Sequence, residues 1–365
     1  MRPVFALTML LAFLLGCATT QVTNDTEDAK EKVPCRRYYD FAFEYLKNGS
    51  YTDAIVNFDK AIKCSTDYVE AYIGKAQAHM RRNELEEAES VCILGEKNIP
   101  GEPRIKVARA GVCLEREDYE DAKGLYLEAL SMDSLNFDAL FGLGFAYEKT
   151  NDMASAIEYY SRAKPLKPED TALRFRIGTL LIGMGKYDEG LSEIRYVVET
   201  QPDDLEARAT LAESYMDAGR YSDALREFKA IADKTPDNFS AVLGIGRAHV
   251  KLREHSEAAD TFKRARSMAP ENPAPLYYLA DLYISTGRYS NAASILREAL
   301  GMEIDDKVPF YVLSGDLYFK QERYEESIDM YRRALTDPTY GQYAENQINR
   351  AKARIEKKRL EEEGF

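Results

Sequence analysis

The sequence has no tryptophan, only three histidines, no excess of positive charge and no apolar run long enough to cross a bilayer. Its 49 Lys and Arg residues are outnumbered by 62 Asp and Glu residues, which gives a formal net charge of −13 at pH 7. This balance argues against nucleic acid as a partner, because phosphates are bound by clustered Lys and Arg. It also argues against a broad electrostatic contact with anionic lipid.

Motifs that mark common enzyme classes are missing as well. The chain has no glycine-rich phosphate loop, no zinc-protease motif and no GxSxG nucleophile elbow. Acidic residues are numerous but scattered, as on solvated helix faces. We therefore expect a protein that is not an enzyme and that has no cofactor, no metal site and no small-molecule substrate.

Small residues recur at a fixed interval along most of the chain. The spacing is 34 positions, except for a last interval of 35. Further small residues twelve positions earlier and seven later mark where two antiparallel helices approach closely, and a bulky residue such as Phe58 or Tyr126 lies between them. This period indicates helix pairs that bury their apolar faces against neighbouring pairs. The main series is Ala54, Ala88, Ala122, Ala156, Gly190, Ala224, Ala258, Ala292 and Ser327.

Glycine and proline recur at the turns and ends of these copies, and this pattern is typical of one repeat family. A Gly or Asn marks the turn within several copies, as at Gly49 and Asn83, and a proline such as Pro100 or Pro168 closes many of them. The chain resembles the tetratricopeptide repeat (TPR) family, although that family's characteristic Trp is replaced, for example by Tyr72. The resemblance implies an all-α, right-handed superhelical solenoid of about nine TPR helix-turn-helix repeats with a C-terminal capping helix.

The repeat phase sets the predicted domain boundaries. Residues 1–16 are interpreted as a lipoprotein signal peptide, 17–34 as a lipidated N-terminus and flexible tether, 35–340 as the repeats and 341–365 as a charged capping helix. A coiled-coil or partner-docking role for that last helix is the alternative. The repeats begin near residues 35, 69, 103, 137, 171, 205, 239, 273 and 308.

The three histidines, His79, His249 and His255, align with tyrosines of other repeats, which favours a packing role.

The N-terminus carries a targeting signal. An apolar stretch over residues 4–15 follows Arg2, and it is too short for a membrane-spanning helix, which needs about 20 residues. The Leu-Leu-Gly-Cys ending at Cys17 resembles a bacterial lipobox, which implies a covalent diacylglycerol and an N-acyl chain such as palmitate on that cysteine. Ala18 favours sorting to the outer membrane, facing the periplasm. An ordinary cleaved signal with a chance cysteine is the alternative.

The other four cysteines fall in the first three repeats. Cys35 begins the first helix of repeat one and Cys64 ends its second helix, so antiparallel pairing brings them together and makes a disulfide plausible. A second bridge between Cys92 and Cys113, on adjacent helices, is conceivable. The alternative is that all four are core thiols.

The resemblance also implies where a partner would bind. In this family the first helices line a concave groove, and the second, fifth, sixth, ninth and twelfth positions of each repeat point into it. Aromatic anchors near a cation suit an extended or helical peptide segment. The alternative is that some of these aromatics pack between repeats. The candidate groove residues are Tyr39, Phe43, Phe141, Phe145, Phe175, Arg176, Arg247, Tyr277 and Asp281.

Two function classes remain open at this point. The first is a lipid-anchored scaffold that binds proteins or peptide segments of an envelope complex, and it is similar to the repeat-containing pilotin lipoproteins that position a type IV pilus secretin. Relatives that serve outer-membrane protein insertion, murein-enzyme docking or polysaccharide export are similarly built. The second class is an accessory or regulatory subunit of a polysaccharide- or murein-processing or export machine. In both, the membrane is contacted through the lipid anchor only.

Overall fold

A computed structural model of the chain describes residues 29–362. These residues form 19 α-helices and one short 3-10 helix, and they contain no strand. The prediction of an all-α protein built from consecutive helix pairs is confirmed. The chain divides into two compact units after Lys186, and each is described by itself.

Unit 1 holds the first nine helices of the chain, α1 to α9. Each repeat contributes two of them, and the second helix packs against the first helix of its own repeat and of the next. The bounds are α1 Ala29–Lys47, α2 Tyr51–Cys64, α3 Val69–Arg81, α4 Leu85–Asn98, α5 Pro103–Glu115, α6 Tyr119–Met132, α7 Phe137–Lys149, α8 Met153–Ala163 and α9 Thr171–Gly183, with the 3-10 turn at Lys164–Leu166.

Unit 2 holds the other ten helices, α10 to α19. It begins with the second helix of the fifth repeat and ends with a helix outside the repeats. The bounds are α10 Tyr187–Thr200, α11 Leu205–Asp217, α12 Tyr221–Lys234, α13 Phe239–Lys251, α14 His255–Met268, α15 Ala274–Ser285, α16 Tyr289–Gly301, α17 Val308–Lys320, α18 Tyr324–Arg332 and α19 Gly341–Glu362.

The turn inside every helix pair has the same backbone geometry. Position 15 of each repeat has a positive φ, and the N–H of position 16 donates to the carbonyl of position 11 over 2.8–3.0 Å. This closes the first helix by satisfying a carbonyl that would otherwise lack a partner. The positive-φ residues are Gly49, Asn83, Glu117, Asn151, Gly185, Gly219, Arg253, Gly287 and Glu322.

Small residues are required where a bulky side chain fills the space between helices. A Cβ added to Gly244 would lie 2.6 Å from Phe228 Cε1 of the preceding repeat. A Cβ added to Gly315 would lie 2.6 Å from Tyr331 Cε1 of its own repeat. Both distances are below van der Waals contact, so each aromatic ring occupies the volume that the glycine leaves open.

The N-terminal boundary of the helical part differs from the prediction. Helix α1 begins at Ala29, inside the segment that the sequence assigned to a tether. Residues 29–32 read Ala-Lys-Glu-Lys, which have high helix propensity, and they extend a helix whose later turns are packed in the core. The lack of apolar spacing in this segment therefore did not mark the end of the helix.

The first repeat is covalently closed. Cys35 and Cys64 form a disulfide with a Cα–Cα distance of 5.4 Å. This bond joins α1 to the last residue of α2. Cys92 and Cys113 are free and buried, so the second bridge that the sequence left open is not formed. Burial raises the pKa of the Cys113 thiol.

Helix α19 packs on the last repeat in spite of its many charges. Ala344, Ile348 and Ala351 recur at helical spacing and are buried against a cluster that includes Ile328 and Tyr331 of α18. The charged side chains of α19 lie on its other faces. Within residues 29–362, no helix combines the length and the apolar character that crossing a membrane requires.

Candidate peptide-binding face

We call the fifth and ninth positions of the first helices the inner face of each unit. In unit 1 half of these residues are buried and half are half-buried. Val107, Phe141 and Phe145 are buried, while Ile73 and Thr179 are half-buried. At the third and fourth repeats the inner face of unit 1 therefore offers few side chains to a partner.

The ion pair between Arg176 and Glu148 covers the aromatic side chains at the centre of unit 1. Arg176 Nη1 lies 3.0 and 3.1 Å from the two carboxylate oxygens of Glu148. Its guanidinium group stacks over Phe145 at 4.9 Å and Phe141 at 5.9 Å from the ring centroids. The Tyr160 hydroxyl donates to Glu148 Oε2 over 2.9 Å, and burial holds the pKa of Tyr160 well above its ordinary value.

This arrangement corrects the predicted role of two aromatics. Phe141 and Phe145 are only 4% and 5% exposed, so they are core residues and not open anchors. The alternative that some groove aromatics pack between repeats applies to this pair. The physical reason is that Arg176 covers the rings by cation–π contact and is itself held by Glu148.

The other three unit 1 candidates are half-buried. Tyr39 and Phe43 stack on α1 with ring centroids 6.0 Å apart, and the Lys47 ammonium lies 4.5 Å above the Phe43 ring. Tyr39 also contacts Tyr68, with centroids 5.2 Å apart. Phe175 lies one position before Arg176 on α9. The structure does not bring Tyr39 and Phe43 together with Phe175 into one cluster, because they lie on α1 and α9.

The inner face of unit 2 is more polar and more open. Arg247 on α13 donates to Glu213 Oε1 on α11 over 2.8 Å, which pairs the ninth positions of consecutive repeats. Leu243 and Tyr277 are half-buried and pack on the core of the seventh and eighth repeats. Tyr277 also meets Phe310 edge-on, with centroids 6.3 Å apart.

Two carboxylates follow at the ninth positions of α15 and α17. Asp281 is exposed, and Asp316 accepts hydrogen bonds of 2.7 Å from both the Tyr331 and the Tyr343 hydroxyls, at the same oxygen Oδ1. Within residues 35–362, neither Asp281 nor Asp316 forms an ion pair, whereas Glu148 and Glu213 on the inner faces both do. The negative charge at this end of unit 2 is therefore not neutralised by a contacting cation among the described residues.

The pKa values of Asp281 and Tyr277 reflect the proximity of these acidic and phenolic groups. The pKa of Asp281 is raised, first because neighbouring side chains displace part of its water and second because Asp316 repels its charge, with Lys251 acting in the opposite direction. The pKa of Tyr277 is raised to about 12 by burial and by the nearby Tyr340 hydroxyl and Asp281 carboxylate. The repulsion between Asp281 and Asp316, which contributes to the first of these shifts, favours an incoming cation.

Sequence reasoning identified Arg247, Tyr277 and Asp281 but not their neighbours. Asp316 has the same repeat position as Asp281, so the alignment of repeats held the signal that would have found it. Tyr343 lies on α19, outside the repeats, and no period could point to it. Its role becomes visible only when α19 packs beside α17 and α18.

The sequence also led to predictions about lipidation, metal binding and the histidines. Cys17, the predicted lipidation site, lies outside the described residues. In residues 35–362, no group of three or more His, Cys, Asp or Glu side chains is arranged to hold a metal ion. His79 and His249 each contact a glutamate of the following turn through Nδ1, Glu84 at 2.8 Å and Glu254 at 2.5 Å.

Several solved structures are similar to this chain. The C-terminal part of a TPR repeat-containing protein from Cytophaga hutchinsonii matches with a TM-score of 0.55 and 14% identity, over 66% of this chain and 99% of that one. YrrB, described as a TPR protein with an unusual peptide-binding site, matches with a TM-score of 0.44 and 28% identity, over 51% and 95%. PilF of Pseudomonas aeruginosa matches with a TM-score of 0.47 and 18% identity, over 58% and 97%.

Comparisons of sequence assign the family. A search of curated protein sequences found no significant match. Family models described as tetratricopeptide repeat, however, match most of the chain. They cover residues 45–110, 112–171, 175–239, 209–273, 243–311 and 277–344. Because these matches extend over well more than half of its length and coincide with the observed helix pairs, the chain belongs to the tetratricopeptide repeat family.

Proposed function

We propose that this protein is a lipid-anchored scaffold of the bacterial cell envelope that binds a segment of a partner protein on the inner face of unit 2. The segment carries a Lys or Arg next to an apolar side chain. TPR domains bind peptides or proteins. The observation that supports it most directly is the carboxylate pair Asp281 and Asp316 beside the half-buried Tyr277 ring.

Charge favours a cationic ligand at this position. The pKa of Asp281 is raised by partial loss of its water and also by repulsion from Asp316, and a Lys or Arg of a partner placed between the two carboxylates would relieve that repulsion. Its aliphatic stem could lie on Tyr277, and an aromatic face attracts a cation by about 0.5–2 kcal/mol. Tyr331 and Tyr343 hold Asp316 in place, so little side-chain entropy is lost on binding.

An apolar contact would supply the rest of the affinity. Leu243 and Tyr277 are half-buried in consecutive repeats and leave part of their surface to a ligand. In unit 1 the corresponding fifth and ninth positions of the fourth repeat, Phe141 and Phe145, are sealed under Arg176. The segment is therefore expected on unit 2 and not at the centre of unit 1.

The anchor sets where this interaction takes place. Acylation of Cys17 would tie the chain to the outer membrane, facing the periplasm, with stable attachment because more than one acyl chain is involved. The partner is then a component of an envelope complex, of which a pilus secretin assembly is one example. A Cys17→Ser chain should leave the membrane fraction; if it stays there at wild-type level, the anchor is not at this cysteine.

The binding face is tested by photo-crosslinking in the native cell. A photoreactive phenylalanine analogue replaces Leu243 in the tagged full-length chain, and the adduct is purified and identified by mass spectrometry. The matched control places the analogue at Leu127, which is exposed on the second helix of the third repeat. The proposal expects a discrete adduct from position 243 and none of the same mass from position 127.

The identity of the adduct then assigns the complex. A secretin or another outer-membrane channel component would make the protein an assembly factor, whereas a murein or glycan enzyme would make it an accessory subunit of that machine. Equal labelling from both positions, or no protein adduct from position 243, would remove the proposed face.

A further inference from the structure

Helix α1 exposes three aromatic side chains on a face that no described helix covers. Tyr38, Phe41 and Tyr45 are 38%, 48% and 40% exposed. Their spacing of three and four residues places them in one stripe, on a different face from Tyr39 and Phe43. The Arg37 guanidinium lies 5.6 Å from the Phe41 ring centroid, and the Lys60 ammonium lies 5.8 Å from that of Tyr38.

The stripe occupies positions four, seven and eleven of the first repeat. Some later repeats carry charged, half-buried residues at these positions, such as Lys106, Arg174 and Arg109. Where later repeats carry apolar residues there, most of the side chains are buried in the core. Examples are Tyr72, Leu140 and Leu276 at position four, Leu143, Leu211 and Leu279 at position seven, each at most 1% exposed, and Tyr215 and Tyr283 at position eleven, 2% and 6% exposed. The stripe is thus an apolar face built for a helix to cover.

We propose that this stripe is the contact between two copies of the chain, paired through α1 about a two-fold axis at Phe41. A two-fold axis perpendicular to both helices runs them antiparallel and brings the same face of each together. The two Phe41 rings then meet at the axis, and Tyr38 of one copy lies beside Tyr45 of the other. The occupant is a helix with an aromatic stripe, and the chain itself carries one.

The charges beside the stripe match this pairing and no parallel one. Arg37 and Glu44 are exposed and lie together along one edge of the stripe, on opposite sides of Phe41 along the helix. Arg37 lies four residues before Phe41 and Glu44 lies three residues after it, at a rise of about 1.5 Å per residue. The antiparallel arrangement therefore places Arg37 of one copy beside Glu44 of the other. The two-fold symmetry repeats this pair on the other side of Phe41. A parallel two-fold pairing would instead place the Arg37–Glu44 edges of the two copies on opposite sides of the interface, where these charges do not meet.

One helix face makes a small interface, so the pairing should be weak and concentration-dependent. A dissociation constant on the order of micromolar is expected for a contact of this size. High local concentration on a membrane would favour it. The contact uses neither Tyr277 nor Asp281, so it is independent of the proposed partner site.

The pairing is tested on the full-length chain in two ways. In cells, the photoreactive analogue at Phe41 should give a crosslinked dimer that carries both tags when two differently tagged copies are co-expressed, while the same analogue at Leu127 should not. In nonionic detergent, sedimentation equilibrium up to about 100 µM should show a reversible monomer–dimer equilibrium.

Reversing the charge at position 37 and then restoring the pair at position 44 distinguishes a loss of the dimer contact from a loss of folding. Arg37→Glu should raise the dimer dissociation constant about tenfold, because two like-charged pairs replace two opposite pairs. The double variant Arg37→Glu, Glu44→Arg should return it close to the wild-type value. A monomeric wild-type chain, a dimer unaffected by Arg37→Glu, or a double variant no tighter than the single one would each contradict the proposal, as would crosslinking of position 41 only to another protein.

Discussion

The Tyr331 hydroxyl donates a hydrogen bond of 2.7 Å to Asp316 Oδ1, which joins a fully buried side chain of α18 to the inner face of α17. Tyr343 of α19 donates to the same oxygen over 2.7 Å. The last helix therefore stabilises the repeat that it covers and also fixes one carboxylate of the proposed binding site. The pKa of Tyr331 is raised by burial and by this carboxylate, so the hydroxyl remains a donor across the physiological pH range.

Removing these hydroxyls should loosen the end of unit 2 in a graded way. Tyr331→Phe is expected to cost about 1–2 kcal/mol, because the hydrogen bond of a buried tyrosine to a carboxylate is lost. Tyr343→Phe should cost under about 1 kcal/mol, because the Tyr343 side chain is 41% exposed and water can replace its hydroxyl. Hydrogen exchange of residues 308–362 measures both, and a larger loss for Tyr343→Phe would contradict the proposed contacts.

Asp281→Asn should raise stability slightly while weakening partner binding. Because folding raises the pKa of Asp281, its proton is held more tightly in the folded chain. The favourable contribution exists below the ordinary aspartate pKa and is lost as pH rises through the raised value. Asn imitates the protonated form, so a gain of up to about 0.5 kcal/mol is expected at neutral pH and none at about pH 3. Thermal midpoints at the two pH values measure this, and a loss at neutral pH would be inconsistent with repulsion at this site.

A pair of glycine substitutions tests the packing between repeats. Gly244→Ala places a Cβ against the Phe228 ring and should cost about 1–3 kcal/mol through overpacking. Gly124→Ala is the matched control, since a Cβ there meets nothing within 4 Å. The control should gain about 0.5–1 kcal/mol from lower backbone entropy in the unfolded chain. Urea unfolding of both variants gives the comparison, and equal effects would argue against close packing at Gly244.

The positive-φ position of the turns offers a stabilising change. Arg253 has a φ of 63° and is exposed, so Arg253→Gly should gain about 0.5–1 kcal/mol by relieving Cβ strain. Gly219→Ala is the reverse experiment at the same repeat position, with a φ of 71°, and should lose about 1 kcal/mol. Thermal unfolding that moves both variants in the same direction would show that the turn is not strained.

Most of the fold was predictable because the repeat imposes the same packing problem many times. The small residues of the 34-residue series and the bulky side chains between them determine where helices meet, as at Gly246 and Phe262. The turn signal was only partly readable. Glu117, Arg253 and Glu322 share the left-handed geometry of the glycines, although their residue types do not suggest it.

Histidine positions show how a repeat can preserve structure while changing chemistry. Position eleven carries Tyr215 with Arg220 at position sixteen, and the guanidinium lies 4.8 Å from the ring centroid. Two other repeats carry His at position eleven and Glu at position sixteen, as His249 with Glu254. In these three repeats the residues at positions eleven and sixteen are in contact, which alignment of the repeats alone did not reveal.

The binding face was harder to predict than the fold. Family position predicts which residues point inward, but it does not predict whether a neighbour covers them, as Arg176 covers Phe141 and Phe145. Ion pairing has the same limit, because Glu213 and Asp281 share a repeat position and only Glu213 meets an arginine. Exposure and charge pairing depend on contacts between repeats, which a period does not encode.

The most direct test of the central claim is the yield of the adduct from position 243 in cells that carry Asp281→Asn together with Asp316→Asn. Both changes keep the side-chain shape, and the Asn carbonyl can still accept the tyrosine hydroxyls at position 316. A carboxylate site for a cationic segment predicts a drop of about tenfold or more, with unit 2 still folded by hydrogen exchange. An adduct of unchanged yield would contradict the account, because binding would then not depend on the two carboxylates.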